Sequence, residues 1–147
     1  MEKITKELIK ELFKKYNTLY FDNELRLPRF TTYKGRRTYG VYSYKIDKKT
    51  KKLKNERFAI ANNVNWSEDS SRNIIVHEMI HCDIAQKNIK DNRDHGKVFK
   101  QMMNDYNRHY GLNITVKIDN KQLPFIDQKP RTSLTQKLIK CFKKIVG

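Results

Sequence analysis

The stretch Asn73-Ile74-Ile75-Val76-His77-Glu78-Met79-Ile80-His81 decides how the rest of this chain is read. Its apolar residues surround two histidines four positions apart. On a helix turning about 100° per residue, those two side chains point only about 40° apart. Both imidazoles can therefore reach one ion, and the glutamate after the first is placed to take a proton from a water on the metal. The pattern points to metal-dependent hydrolysis, with His77 and His81 as ligands and Glu78 as catalytic base. The chain has only four histidines and seven glutamates, and shuffling them would reproduce the motif roughly once in a few hundred tries.

A catalytic zinc needs a third protein ligand and an open fourth position. Downstream candidates are Asp91, Asp94, His95 and His109. His95 is best placed, because it opens a predicted third helix after a polar loop, and Gly96 beside it lets the backbone come close. His109 lies near the far end of that helix, about 20 Å along its axis at 1.5 Å per residue, so the two cannot share an ion. The expected cofactor is one catalytic Zn2+ held by His77, His81 and His95.

Outward from the motif, the chain alternates helical and extended patterns. Ile4, Leu8, Leu12, Phe13, Tyr16 and Tyr20 recur at helical spacing, predicting an amphipathic first helix that ends near Asp22-Asn23. Pro28 breaks it. Strands are expected at Phe30–Tyr33, Tyr39–Ile46 and Arg57–Ala61, with a last one at Asn113–Ile118. In zinc proteases an edge strand beside the metal often holds a substrate backbone by strand addition, and nothing in the sequence shows whether the third strand is an edge. Ser67 is the expected N-cap of the motif helix, which runs to about Lys87. The third helix starts near His95 and stops at Gly111. Beyond Pro124 and Pro130, Leu134, Leu138, Ile139, Phe142, Ile145 and Val146 space out as a short basic amphipathic helix, expected to pack back on the domain. The fold class is α+β, with a domain at 1–118 and a basic tail at 119–147.

Charge suggests a partner. The 147 residues carry 32 Lys+Arg against 16 Asp+Glu, a formal net charge of +16, which favours an anionic polymer, most simply a nucleic acid. Solubility alone is the blander explanation. Residues 67–116, which hold the motif, are neutral, whereas 1–66 carry +10 and 117–147 carry +6. Chemistry and targeting are thus expected in different segments. The candidate nucleic-acid contacts are Lys34, Arg36 and Arg37 in one loop and Lys48, Lys49, Lys51 and Lys52 in the next. Tyr33, Tyr39, Tyr42 and Tyr44 interleave with the first group and with Lys45; such rings stack on the bases of single strands or fill the inner face of a sheet.

Cys82 and Cys141 lack metal-ligand spacing and form no disulfide framework. The N-terminus lacks the apolar core of a signal peptide, and no run reaches membrane-spanning length. A soluble intracellular protein is expected, cytoplasmic or at the nucleoid in a bacterium, nuclear in a eukaryote.

His77-Glu-Met-Ile-His81, His95-Gly-Lys-Val-Phe99, Met102, Asn107 and Gly111-Leu-Asn-Ile-Thr-Val116 together resemble the SprT-like metalloproteases, especially the Spartan branch. Gly40-Val41-Tyr42-Ser43-Tyr44 is similar to that family's central strand, and Tyr20-Phe21 to Leu25 to the end of its first helix. The likeness covers about residues 5–118. It implies a zincin-type domain and a DNA-stimulated protease that degrades proteins crosslinked or tightly bound to DNA, in single-stranded or junction regions. By motif position, it places the family's ligands on His77, His81 and His95 and its catalytic glutamate on Glu78. Many relatives carry a cysteine-rich zinc ribbon after this domain, which two isolated cysteines cannot supply. Two other readings stand beside it: a zinc peptidase with substrates unrelated to DNA, and a non-catalytic zinc-containing DNA-binding module. Glu78 argues against the second, since a structural site has no need of a base.

Overall fold

A computed structural model describes residues 1–126. The predicted tail helix and Cys141 lie outside them. Among the described residues the architecture is α+β, with three helices and one three-stranded sheet in the order α1 (Lys6–Tyr20), β1 (Arg29–Tyr33), β2 (Gly40–Ile46), β3 (Leu53–Ala61), α2 (Glu68–Gln86) and α3 (Lys97–Tyr110).

Helix α1 starts where the Thr5 hydroxyl accepts from the Leu8 N–H at 3.1 Å, satisfying one orphan donor of the first turn. Ile9, Phe13 and Tyr16 then recur on one face and are buried. Phe13 meets Phe30 of β1 and Phe58 of β3, with both ring centroids 5.2 Å away. Asn17 closes the exit from the helix. Its amide donates to the Leu25 carbonyl and accepts from the Leu25 N–H, at 3.0 and 3.2 Å.

The sheet order is β1-β3-β2, with β1 parallel and β2 antiparallel to β3. The segment Arg57–Ala61, whose place in the sheet the sequence leaves open, is the central strand. Phe58, Ala59, Ile60 and Ala61 have no exposure, so the strand is covered on both faces as well as paired at both edges; an unbroken apolar run is the signature of such a strand. The edge facing the motif helix is β2. Strand β3 also begins earlier than expected. Asp47 Oδ1 accepts from the N–H groups of Lys49 and Thr50 at 2.9 Å each, which tightens the lysine-rich connection into a short turn.

Ser67 caps α2 as expected, through a reciprocal pair of bonds with Ser70. Ile75, Val76, Met79, Ile80 and Cys82 are fully buried, so most of this helix is core. Gly111 ends α3 in the left-handed region at φ 65°, the common glycine stop. Asn113–Ile118, expected as a strand, is irregular, bends at Val116 and Lys117, and pairs with no strand among the described residues. Instead the Asn107 side chain bonds both the N–H and the C=O of Ile114, at 2.8 and 2.9 Å, which leaves the neighbouring carbonyls free for the site. Residues 119–126 close the far end. The Tyr39 hydroxyl donates toward Asn120 Oδ1 and the Leu123 carbonyl at 2.7 and 2.6 Å, and Phe125 stacks on the Tyr39 ring. No helix among the described residues is long and apolar enough to cross a membrane.

Candidate metal centre

Four residues apart on α2, His77 and His81 turn to the same side, and the turn before α3 brings His95 up to them. His95 stands on that turn rather than on a helix, because Gly96 is the N-cap of α3. His95 Nε2 lies 3.2 Å from His77 Nε2 and 3.1 Å from His81 Nε2. The three ligand atoms all fall within 4.8 Å of one another.

The donor chemistry fits a zinc ion. His77 Nδ1–H donates to the Thr115 carbonyl at 2.9 Å, leaving the Nε2 lone pair turned inward. The Nδ1 atoms of His81 and His95 each face an Asp94 carboxylate oxygen at 3.7 Å. Three Nε2 lone pairs thus converge, which repels unless a cation or protons lie between them. Tetrahedral Zn–N bonds of about 2.0–2.1 Å imply N···N separations of roughly 3.3 Å, near those observed. Burial, then the neighbouring imidazoles, push His77 down to about 4; burial also takes His81 to about 4. Both are neutral near pH 7, as ligands must be.

Phe99 forms the back wall. Its ring stacks on His81 at a centroid distance of 4.4 Å and meets His95 and His77 at 4.8 and 4.9 Å. Phe99 has no exposure, so water reaches the imidazoles only from the front.

Glu78 is buried beside them, with Oε1 4.0 Å from His77 Nε2. Burial, then the Asp94 charge, raise its carboxyl to about 8, opposed by the Tyr42 backbone N–H. Strand β2 can approach because residue 40 is glycine: a Cβ there would stand 2.9 Å from Glu78 Cγ and 3.1 Å from Ile74 Cγ1. A cleft of about 970 Å³ opens in front, lined by Gly40, Tyr42, His77, Glu78, His81 and His95.

The other candidates part ways. Asp91, weighed as a ligand, caps α3: its Oδ2 accepts from the Phe99 N–H at 3.0 Å, and that bond holds its carboxyl below the usual carboxylate range. Asp94 stays behind the imidazoles, and His109 is exposed on the last turn of α3. The seven basic candidates are exposed, in two groups at opposite ends of β2. Lys34, Arg36 and Arg37 precede the strand, and Lys48, Lys49, Lys51 and Lys52 follow it. Of the four interleaved tyrosines only Tyr44 is exposed; Tyr33, Tyr39 and Tyr42 bond Thr38, Leu123 and Glu56.

Sequence reasoning missed three parts of the site. The Thr115 carbonyl has no side-chain signature. Gly40 did leave one, a glycine inside an aromatic strand, which marks close backbone approach. Asp91 was considered for its charge, whereas its place ahead of a helix was the stronger signal.

No curated protein and no solved structure matches the chain. A family model described as the SprT-like family matches residues 9–118. That span takes in α1 from Ile9 onward, every later element of the fold and all four residues of the centre, and it shows that the chain belongs to the SprT-like family.

Proposed function

We propose that this protein is a zinc-dependent endopeptidase of zincin type that cleaves proteins crosslinked or tightly bound to DNA, stimulated by that DNA. A metalloprotease-like function goes with membership of the SprT-like family. The observation that carries the catalytic half is the buried Glu78 carboxyl beside three converging imidazoles at the floor of an open cleft. Bound there, zinc would supply Lewis acidity, lowering the pKa of a water and polarising a carbonyl. His77, His81 and His95 would hold it, with His77 oriented through Thr115 and Phe99 excluding water from behind. Glu78 takes the proton of the attacking water and delivers it to the leaving amine. Gly40 and the Tyr42 N–H fix where that carboxyl stands.

Among the described residues the outer edge of β2 has no partner strand, and it borders the cleft, so an extended substrate can add to it through main-chain hydrogen bonds. The DNA half rests on the +16 charge and on the basic groups at both ends of β2, which would contact phosphates on either side of the cleft. The decisive test incubates zinc-loaded protein with a DNA-binding protein, with and without single-stranded DNA. Cleavage that requires DNA is expected. Cleavage indifferent to DNA would remove the targeting half, and binding without cleavage would remove the catalytic half.

A further inference from the structure

The cleft does not stop at the imidazoles. Strand β2 and helix α2 run side by side in the same direction, from Gly40 against Ile74 and Glu78 to Tyr42 near Cys82. Gly40 and Val41 line the start of the cleft; from Tyr42 on, the lining β2 residues alternate as Tyr42, Tyr44 and Ile46, while Ser43 and Lys45 do not line it. Opposite them, beyond His81, α2 and its exit supply Ile84 and Ile89. Apolar side chains form most of this end of the cleft, with Asn88 and Lys90 flanking Ile89, and much of that apolar surface faces solvent: Tyr44 is 44 % exposed, Ile46 54 % and Ile89 39 %. Of the eight exposed large hydrophobics on the described surface, these three share one cavity with the histidine centre, whereas Met1 and Ile126 line a separate hollow. A cluster of that kind marks a binding surface.

We propose that the Tyr44–Ile46–Ile89 end of the cleft is a specificity subsite for a bulky aliphatic or aromatic side chain of the substrate. The inference rests on the protease reading, because its occupant is the extended chain that adds to β2 and passes the centre. Continuity of the cleft identifies that occupant, and the strand fixes the register. The Tyr42 N–H faces Glu78, which places the scissile bond near Tyr42. Tyr44 and Ile46 are two and four residues further along, at about 3.3 Å each. A bound peptide therefore presents its apolar residue two to four positions from the cut, always on the same side. Leu53 and Ile84, partly buried beneath, form the floor on which that side chain rests.

Two measurements test this. A random peptide mixture digested by the zinc-loaded protein and read by mass spectrometry should show enrichment of Leu, Ile, Phe or Tyr at one position two to four residues from the cut, on one side only. Separately, peptides with Leu or Ser at that position are titrated into the Glu78→Gln protein and followed by fluorescence anisotropy. The Leu peptide should bind about tenfold tighter or more. Ile46→Lys and Ile89→Lys, at exposed positions that fold readily, should abolish that difference while zinc content stays at one per chain. Equal affinity for the two peptides, or a preference surviving both substitutions, overturns the subsite. Cleavage without apolar selection overturns it and leaves the protease reading intact. Selective binding without cleavage by the wild-type protein retains the subsite and overturns the protease reading instead.

Discussion

The backbone of Gly40 passes so close to Glu78 that a methyl group on residue 40 would stand 2.9 Å from Glu78 Cγ and 3.2 Å from Oε1. The edge strand and the Glu78 carboxyl are thereby positioned against each other. Gly40→Ala forces one of them to shift by several tenths of an ångström. Turnover should fall on the order of 10- to 100-fold, as for other displacements of catalytic groups, with zinc content unchanged. Comparing kcat/KM with metal analysis checks this; wild-type turnover in the variant would show that the approach carries no catalytic weight.

Glu78→Gln should abolish hydrolysis and retain zinc, since the three imidazoles are untouched. The same variant also probes the energetics of burial. The Glu78 carboxyl rises from its ordinary 4.5 to about 8 in the metal-free fold. The folded state therefore holds a proton that the unfolded chain has released, and stability present below pH 4.5 is lost as pH rises toward 8. Metal-free Glu78→Gln should be the more stable protein at pH 8.5, by several kcal/mol at about 1.4 kcal/mol per pKa unit. The gap should close near pH 5. Urea melts of the two metal-free proteins across that range decide it, and a gap independent of pH would refute the assignment.

The histidines act in the opposite direction. Both His77 and His81 fall from 6.5 to about 4, so the unfolded chain binds more protons than the fold between those values. Stability they lend above pH 6.5 is lost as pH falls toward 4. Protons also compete with the metal as soon as the imidazoles begin to charge. Zinc affinity measured against a chelator should stay flat from neutral pH down to about 5 and fall steeply as pH approaches 4; a profile still flat below pH 4 would remove these imidazoles from the ligand set.

Asp91 links the third ligand to helix α3. Its carboxylate accepts from Phe99 and leaves no room for a side chain at residue 96, where a Cβ would stand 2.3 Å from Asp91 Oδ1. Asp91→Ala should loosen the turn that presents His95 and weaken zinc binding roughly tenfold, the scale seen when residues supporting ligands are removed. Calorimetric titration with zinc measures this, and unchanged affinity would mean that Gly96 and Phe99 alone hold the turn.

The basic groups at the two ends of β2 can be separated. Replacing Lys48, Lys49, Lys51 and Lys52 by Ser should reduce the slope of log K against log salt for single-stranded DNA by up to about 3, at roughly 0.7 per phosphate contact. Titrations at several salt concentrations read this directly. An unchanged slope would assign DNA contact to other basic residues.

The site was legible because its chemistry is periodic. His77, Glu78 and His81 declare themselves through helical spacing, and His95 through a glycine and a following helix. The strands were legible as segments, since Phe30–Tyr33, Tyr39–Ile46 and Arg57–Ala61 are rich in aromatic and β-branched residues. Their order was not, because aromatic and β-branched composition says nothing about which neighbour pairs with which. Arg57–Ala61 became the centre of the sheet through a parallel pairing with β1 that crosses β2 in sequence. Asn113–Ile118 has the alternation of a strand, yet the Asn107 amide occupies the main-chain groups of Ile114, so a side chain replaces the ladder.

Helix α2 is locked into the core through Ile75, Val76, Met79, Ile80 and Cys82, none of which has any exposure. It therefore cannot roll about its axis, and the histidines on its other face are aimed before any ion arrives. Zinc fingers acquire their shape from the metal; here the apolar interior supplies it. Chelation should strip the ion and leave helical circular dichroism essentially intact, and reloading should proceed at the speed of ligand exchange rather than of refolding.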